Sequence, residues 1–318
     1  MIPAAHPVAT AERGLAAAGH GLRWLADHPV APGPLLPRAD DAWFDQMLLL
    51  RHGDRPWYGS RGRADQLDRT LAALLDEDPL ARLDRPPGPA GAGGWAGWAE
   101  DLLGAAMVAH LGSLRQPGTP ALSRYLAAVR EVLRARSGAL AAVPPLPAFC
   151  LAYNLHELDV PVPAELRCPD GEAAVVRGLA GPERMLTAAY YHTHVVLFAF
   201  GAFRRTPADL APLAASLRFI RAHAAAVAGY GWADLCAEFA ICLSLTGSGA
   251  GEFRRLADTL LRLQRADGGW SHPRCDERQN RHAATMAVLA LLEAAPAADR
   301  PVPAGPVSAG PAGPARVR

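Results

Sequence analysis

The chain reads as all-α on three observations. Apolar residues recur at helical spacing along nearly its whole length, runs alternating in Val, Ile and Thr are missing, and a second set of segments is apolar almost all round. In chain order the first set includes AERGLAAAGHGLRWLADH (11–28), ADQLDRTLAALLDED (64–78), ALSRYLAAVREVLRARS (121–137) and GEFRRLADTLLRLQRAD (251–267). Each carries one apolar face, the pattern of a helix lying on a core. The second set is AWFDQMLLL, WAEDLLGAAMVAHL, LPAFCLAYNLHEL, YYHTHVVLFAF, WADLCAEFAICLSL and RHAATMAVLALL. Helices of that kind must be covered on most sides.

The second set starts near residues 43, 98, 147, 190, 232 and 281. Six amphipathic-then-apolar pairs at a roughly regular period mark a helical-hairpin repeat. An open superhelix would leave one side of each pair to water, which the apolar segments do not suit. The expected architecture is therefore an (α/α)6 toroid, with six inner helices inside an outer ring, formed by a single domain over 1–295. Residues 82–97, RLDRPPGPAGAGGWAG, read as a turn-rich connector, and 296–318 as a disordered Pro/Gly/Ala-rich tail.

Half of the 318 residues are hydrophobic, yet no 18 consecutive ones are apolar, so a large core is expected and a membrane span is not. The opening MIPAAHPVATAERG lacks the basic segment followed by an apolar one that directs export, and a cytoplasmic protein is expected. Five cysteines, at 150, 168, 236, 242 and 275, are read as reduced thiols rather than a disulfide framework. A net charge of +1, spread without single-sign blocks, gives no reason to expect nucleic acid or anionic lipid as a partner. All 32 basic residues are arginine. Lysine Schiff bases, pyridoxal chemistry and the phosphate-loop lysine are thereby excluded.

In a closed ring the inner helices run parallel, so their N-terminal ends meet around one mouth. The polar residues expected there are Asp41, Asp45, Glu100, Asp101, Tyr153, Asn154, His156, Glu157, Tyr190 to His194, Asp234, Glu238 and His282. Asp234 and Glu238, four apart, share a helix face, whereas Cys236 lies about 200° from Asp234. Asp234 is read either as a helix cap or as a partner of Glu238, whose place in an apolar run demands a partner. His282 heads the next inner segment, and an imidazole beside carboxylates suits general acid–base work or zinc. Of His192 and His194 only one can point inward, and Tyr190 shares a face with His194. Tyr190, His194, Asp234, Glu238 and His282 are thus the candidate catalytic groups, with His192, Tyr153, Asn154 and Trp232 expected to bind substrate.

Gln264-Arg265-Ala266-Asp267-Gly268-Gly269-Trp270 resembles the Gln-x-x-x-Gly-Gly-Trp turn of terpene cyclases and protein-prenyltransferase β subunits, which are helical toroids. In the prenyltransferases zinc is held by an Asp-x-Cys and a following His. The resemblance therefore implies a zinc ion on Asp234, Cys236 and His282, with His192 or His194 in place of a diphosphate-facing histidine. The stretch before Asp234, AAAVAGYGW, carries no basic residue, and the cyclases' Asp-x-Asp-Asp motif is missing, so a prenyl diphosphate is not the expected substrate. Tyr190-x-x-Thr193-His194, Asp234-x-x-x-Glu238 and His282 are also similar to motifs of uncharacterised helical proteins from actinobacteria.

The functional expectation is an enzyme, of specialised metabolism, that cyclises, isomerises or eliminates from a small, partly apolar substrate. Two alternatives are a helical binding or scaffold protein and a carbohydrate-active toroid, the latter resting on Trp98 beside Asp101.

Overall fold

The computed structural model describes residues 7–29, 35–52, 60–77, 83, 92–271 and 277–293. Among them every regular element is helical and none is a strand. The long helices are α1 (Pro7–Asp27), α2 (Leu35–His52), α3 (Ser60–Asp76), α4 (Ala92–Arg115), α5 (Pro120–Ala135) and α6 (Pro145–Glu157). They are followed by α7 (Gly181–Ala199), α8 (Ala214–Tyr230), α9 (Ala233–Thr246), α10 (Ala250–Leu263) and α11 (Glu277–Glu293). The expected tail and Cys275 lie outside the described residues. No helix among the described residues is long and apolar enough to cross a membrane.

Local signals account for several boundaries. Thr119 caps α5, its hydroxyl accepting from the Leu122 amide, with Pro120 in the first turn, where a missing N–H costs nothing. Gly231 and Gly247 end α8 and α9 in the left-handed conformation. Two expectations need correction. α4 begins at Ala92, inside the supposed connector, because burial of its apolar length outweighs the roughly 1 kcal/mol that each interior glycine costs. Ahead of α7 the expected outer helix is reduced to the four-residue turn Glu172–Val175, since Pro161, Pro163 and Pro169 deny a longer helix its amide donors.

The six mostly apolar helices α2, α4, α6, α7, α9 and α11 pack in succession: α2 on α4, α4 on α6, α6 on α7, α7 on α9, α9 on α11, and α11 back on α2. Paired contacts fix their directions. The Leu35 amide donates to Asp101 and the Trp43 indole to the Met107 carbonyl, so α2 and α4 run parallel. Asp41 meets Arg281 and Arg51 meets Glu293, so α2 and α11 do too. Tyr190–Asp234 and Thr193–Glu238 make α7 and α9 parallel. Gly104 sets the spacing between α2 and α4, because a Cβ there would sit 2.7 Å from the Leu36 amide nitrogen.

The amphipathic helices cover these. α1 packs on α10 and α11, α3 on α2 and α4, and α5 on α4, while α8 and α10 lie against α9. The turn after α10 is tied to α1. The Gln264 amide donates to the carbonyls of Ala17 and Gly268, Asp267 accepts from the Gly269 amide, and the buried Trp270 donates its indole N–H to Leu260. Gly268 has φ 95°, and a Cβ on it would stand 2.8 Å from the His20 carbonyl oxygen of α1. Gly268→Ala is therefore expected to destabilise the protein by about 1–3 kcal/mol, from left-handed strain plus displacement of backbone. Urea unfolding followed by circular dichroism checks this; a neutral result would mean that the turn does not press on α1.

Candidate active site

Side chains from all six apolar helices line one cavity of about 550 Å³. Its walls are largely apolar, with Trp43, Phe44, Met47, Leu103, Met107, Leu197, Phe198 and Met286, and each of the six helices adds at least one polar group.

On α7, Tyr190, His194 and Phe198 succeed one another at i, i+4, i+8 and form a single aromatic stripe facing the cavity. His194 meets Tyr190 and Phe198 edge-on, with ring centroids at 6.5 and 5.4 Å, and Tyr153 of α6 stacks flat on Phe198 at 3.8 Å. His192 points the other way. Its ring lies 4.2 Å from Phe219 of α8, with Nδ1 at 2.9 Å from the Ser216 hydroxyl and Nε2 at 3.1 Å from Glu172. The 200° between positions i and i+2 forces this division, so His192 is not among the cavity-lining residues. These residues also do not sit at a helix start: α7 begins at Gly181, with Pro182 in its first turn.

On α9, Asp234 and Glu238 both face the cavity, and both are almost fully buried. The Tyr190 hydroxyl donates to Asp234 and the Thr193 hydroxyl to Glu238. The N-cap position belongs to Trp232, so Asp234 is not a cap; it lies in the first turn, where the helix dipole favours an anion. Glu238 is also 3.7 Å from Nε2 of His282 on α11, whose side chain is 40 % exposed toward the cavity. Burial works against a charged His282. The Glu238 hydrogen bond and the negative charges of Asp40, Glu238 and Asp234 outweigh it, so His282 holds its proton more tightly than an ordinary imidazole.

Also in the lining, Arg281 pairs with Asp41 and donates to the Leu25 and His28 carbonyls, and Asp40 and Glu100 line the same cavity. Tyr153 and Asn154 line the cavity, although Asn154 is held by the Cys150 carbonyl and by Nδ1 of His110. Trp232 does not line it: its indole stacks on Tyr230 at the end of α8. Asp45 and Asp101 are likewise turned from the cavity, toward Arg63 and the Leu35 amide. His156 and Glu157 are not in the lining either, and Glu157 pairs with Arg204 and Arg205. Trp98, read as a hint of sugar binding, is a core residue whose indole donates to the Leu83 carbonyl.

The residues present do not fit the zinc triad. Cys236 is fully buried on the opposite face of α9 from Asp234, its Sγ 3.6 Å from the Val227 carbonyl oxygen. Burial and the Asp234 charge push its thiol up to about 12, which opposes the thiolate that zinc requires. Among the described residues no three His, Cys, Asp or Glu side chains are arranged to hold a metal ion.

Sequence reasoning passed over one cavity residue with chemistry of its own, Cys150. It stands at i+4 from Leu146 and i−3 from Tyr153, both in the lining, so the helical phase of α6 already carried the signal. Comparison of the chain with protein-family models, with curated proteins and with solved structures gave no match.

Proposed function

We propose that the six apolar helices form the inner ring of a toroid, and that the chain is an enzyme which moves a proton on a partly apolar small molecule held in the central cavity. The closed succession of helix contacts supports the ring, although one of its six hairpins lacks a full outer helix. The observation that carries the chemistry is the arrangement at Glu238. A carboxylate 2 % exposed is fixed by the Thr193 hydroxyl and stands 3.7 Å from a proton-bearing imidazole on the wall of a largely apolar chamber. An acid and a base side by side at one cavity wall suit removal of a proton beside a carbonyl and its return elsewhere, the step common to isomerisation, elimination and many cyclisations. In this reading Glu238 accepts the proton and His282 donates one, while Asp234 fixes the Tyr190 ring at the cavity wall.

The test starts from a panel of partly apolar ketones and esters screened by thermal shift. Binders are incubated in D2O and weighed for deuterium uptake. The wild-type protein should exchange a C–H adjacent to the carbonyl, and Glu238→Gln and His282→Gln should each slow that exchange by about 10²–10⁴-fold. Equal exchange in the wild type and both variants, or no binder displaced when Phe198→Trp fills the cavity, would overturn the reading.

A further inference from the structure

A second group of reactive side chains lies on the other side of α7, apart from the cavity. His192 stands between Ser216 of α8, whose hydroxyl is 2.9 Å from Nδ1, and Glu172 of the turn Glu172–Val175, 3.1 Å from Nε2. A carboxylate can only accept, so the proton sits on Nε2, and Nδ1 is left to accept from the Ser216 hydroxyl. Elsewhere the hydroxyls of Ser113, Thr259 and Thr285 return to a carbonyl of their own helix three or four residues back. That of Ser216 is turned to an imidazole instead. Nucleophile, base and a third group that orients the base are thus joined in one row by hydrogen bonds.

We propose that Ser216 is a nucleophile activated by His192, with Glu172 as positioning residue, and that the row cleaves esters of a short acyl chain with an aromatic alcohol. His192 takes the hydroxyl proton at Nδ1 while Oγ bonds to the ester carbonyl carbon. The C–O bond to the alcohol then breaks and the imidazolium protonates the departing oxygen. Water, deprotonated by the same nitrogen, releases the acid and restores Ser216. Ser216 is the third residue of α8, where the helix dipole favours the negative charge that develops on the ester oxygen. Burial, aided by the His223 charge, outweighs Glu172 and holds His192 below the usual imidazole range, so the base is neutral and ready at neutral pH. Ser216 is 4 % exposed and the Glu172 side chain 41 %, so the row runs inward from the surface and its inner end suits only a small acyl group. The rings of Tyr191 and Phe219, with centroids 5.3 and 4.2 Å from the imidazole, suit an aromatic alcohol. The proposal does not rest on the proton transfer assigned to the cavity.

Full-length protein is treated with phenylmethanesulfonyl fluoride at neutral pH and digested, and adducts are mapped by mass. Ser216 should be sulfonylated at least about a hundredfold faster than the exposed Ser123, whose hydroxyl donates to the Thr119 carbonyl. His192→Gln should abolish that advantage, and Ser216→Ala should remove turnover of phenyl acetate. A Ser216 rate no higher than that of Ser123, or one unaffected by His192→Gln, overturns the proposal. Glu172→Ala should slow labelling about tenfold or more, and Glu172→Asp, which keeps an acceptor, should recover part of the rate. Equal rates in those two variants overturn the role given to Glu172. Should His192→Gln unfold, which circular dichroism would reveal, phenyl acetate decides: turnover lost in Ser216→Ala supports the proposal, whereas turnover absent from the wild type or kept by that variant overturns it.

Discussion

Trp270→Ala should lower stability by about 3–5 kcal/mol, with a fall in the thermal midpoint on the order of 5–15 °C. The indole is fully buried between α1 and α11, close enough that a Cβ on Gly21 would lie 2.7 Å from its ring and 2.6 Å from Val288. Its N–H also donates to the Leu260 carbonyl near the end of α10, which accepts from the Gln264 amide as well. Truncation removes both the packing and that bond. Trp270→Phe keeps most of the packing and should cost less, so the difference between the two variants in urea unfolding separates them. A cost below about 1 kcal/mol for Trp270→Ala would mean that the turn does not seal the chain.

Glu293→Gln should cost about 3 kcal/mol at neutral pH. Glu293 ends α11, where the helix dipole disfavours an anion, and its side chain is only 1 % exposed. Arg51 holds it with two bonds of 2.6 and 2.9 Å, the Ser244 hydroxyl adds one of 2.8 Å, and His52 lies 3.5 Å away. The amide keeps the shape but leaves the guanidinium without its counter-charge. Arg51 retains some contact with solvent, which sets the estimate at the low end for a broken buried pair. The pH dependence has a definite sign. Burial raises the Glu293 pKa, but the Arg51 hydrogen bond and charge outweigh it and hold the carboxyl below its ordinary 4.5. Its contribution is therefore present above that value and is lost as pH falls through the lower, folded one. The gap between wild type and Glu293→Gln in urea midpoint should shrink below about pH 4.5 and stay constant above it. A gap that widens on acidification would refute the assignment.

Much of this was written in the chain. Helical spacing identified the long helices because burial imposes it directly. The i, i+4 rule put Asp234 with Glu238 and Tyr190 with His194 on shared faces, and the structure brings all four to the cavity. The rest depended on neighbours distant in sequence. His192 is claimed by Ser216, Phe219 and Glu172, none of which its own segment announces. Asp-x-Cys suggested a metal pair, yet helical phase turns Cys236 toward α8. Arg51 and Glu293, 242 residues apart, carry no mark of their pairing. Cys150 looked like any small core residue, and only the assembled helices show that it lines the cavity.

The packing of α1 against α11 bears on how the protein is made. Trp24 is synthesised well before α11, the helix on which its own helix packs. At ordinary elongation rates, on the order of 10–50 s separates their synthesis, and for that interval the apolar side of the leading helix has no native cover. Closure over so long a span is entropically costly before any contact repays it, so docking of these two helices is expected to be the slow event of folding, and the nascent chain a natural client for chaperones that shield apolar helices.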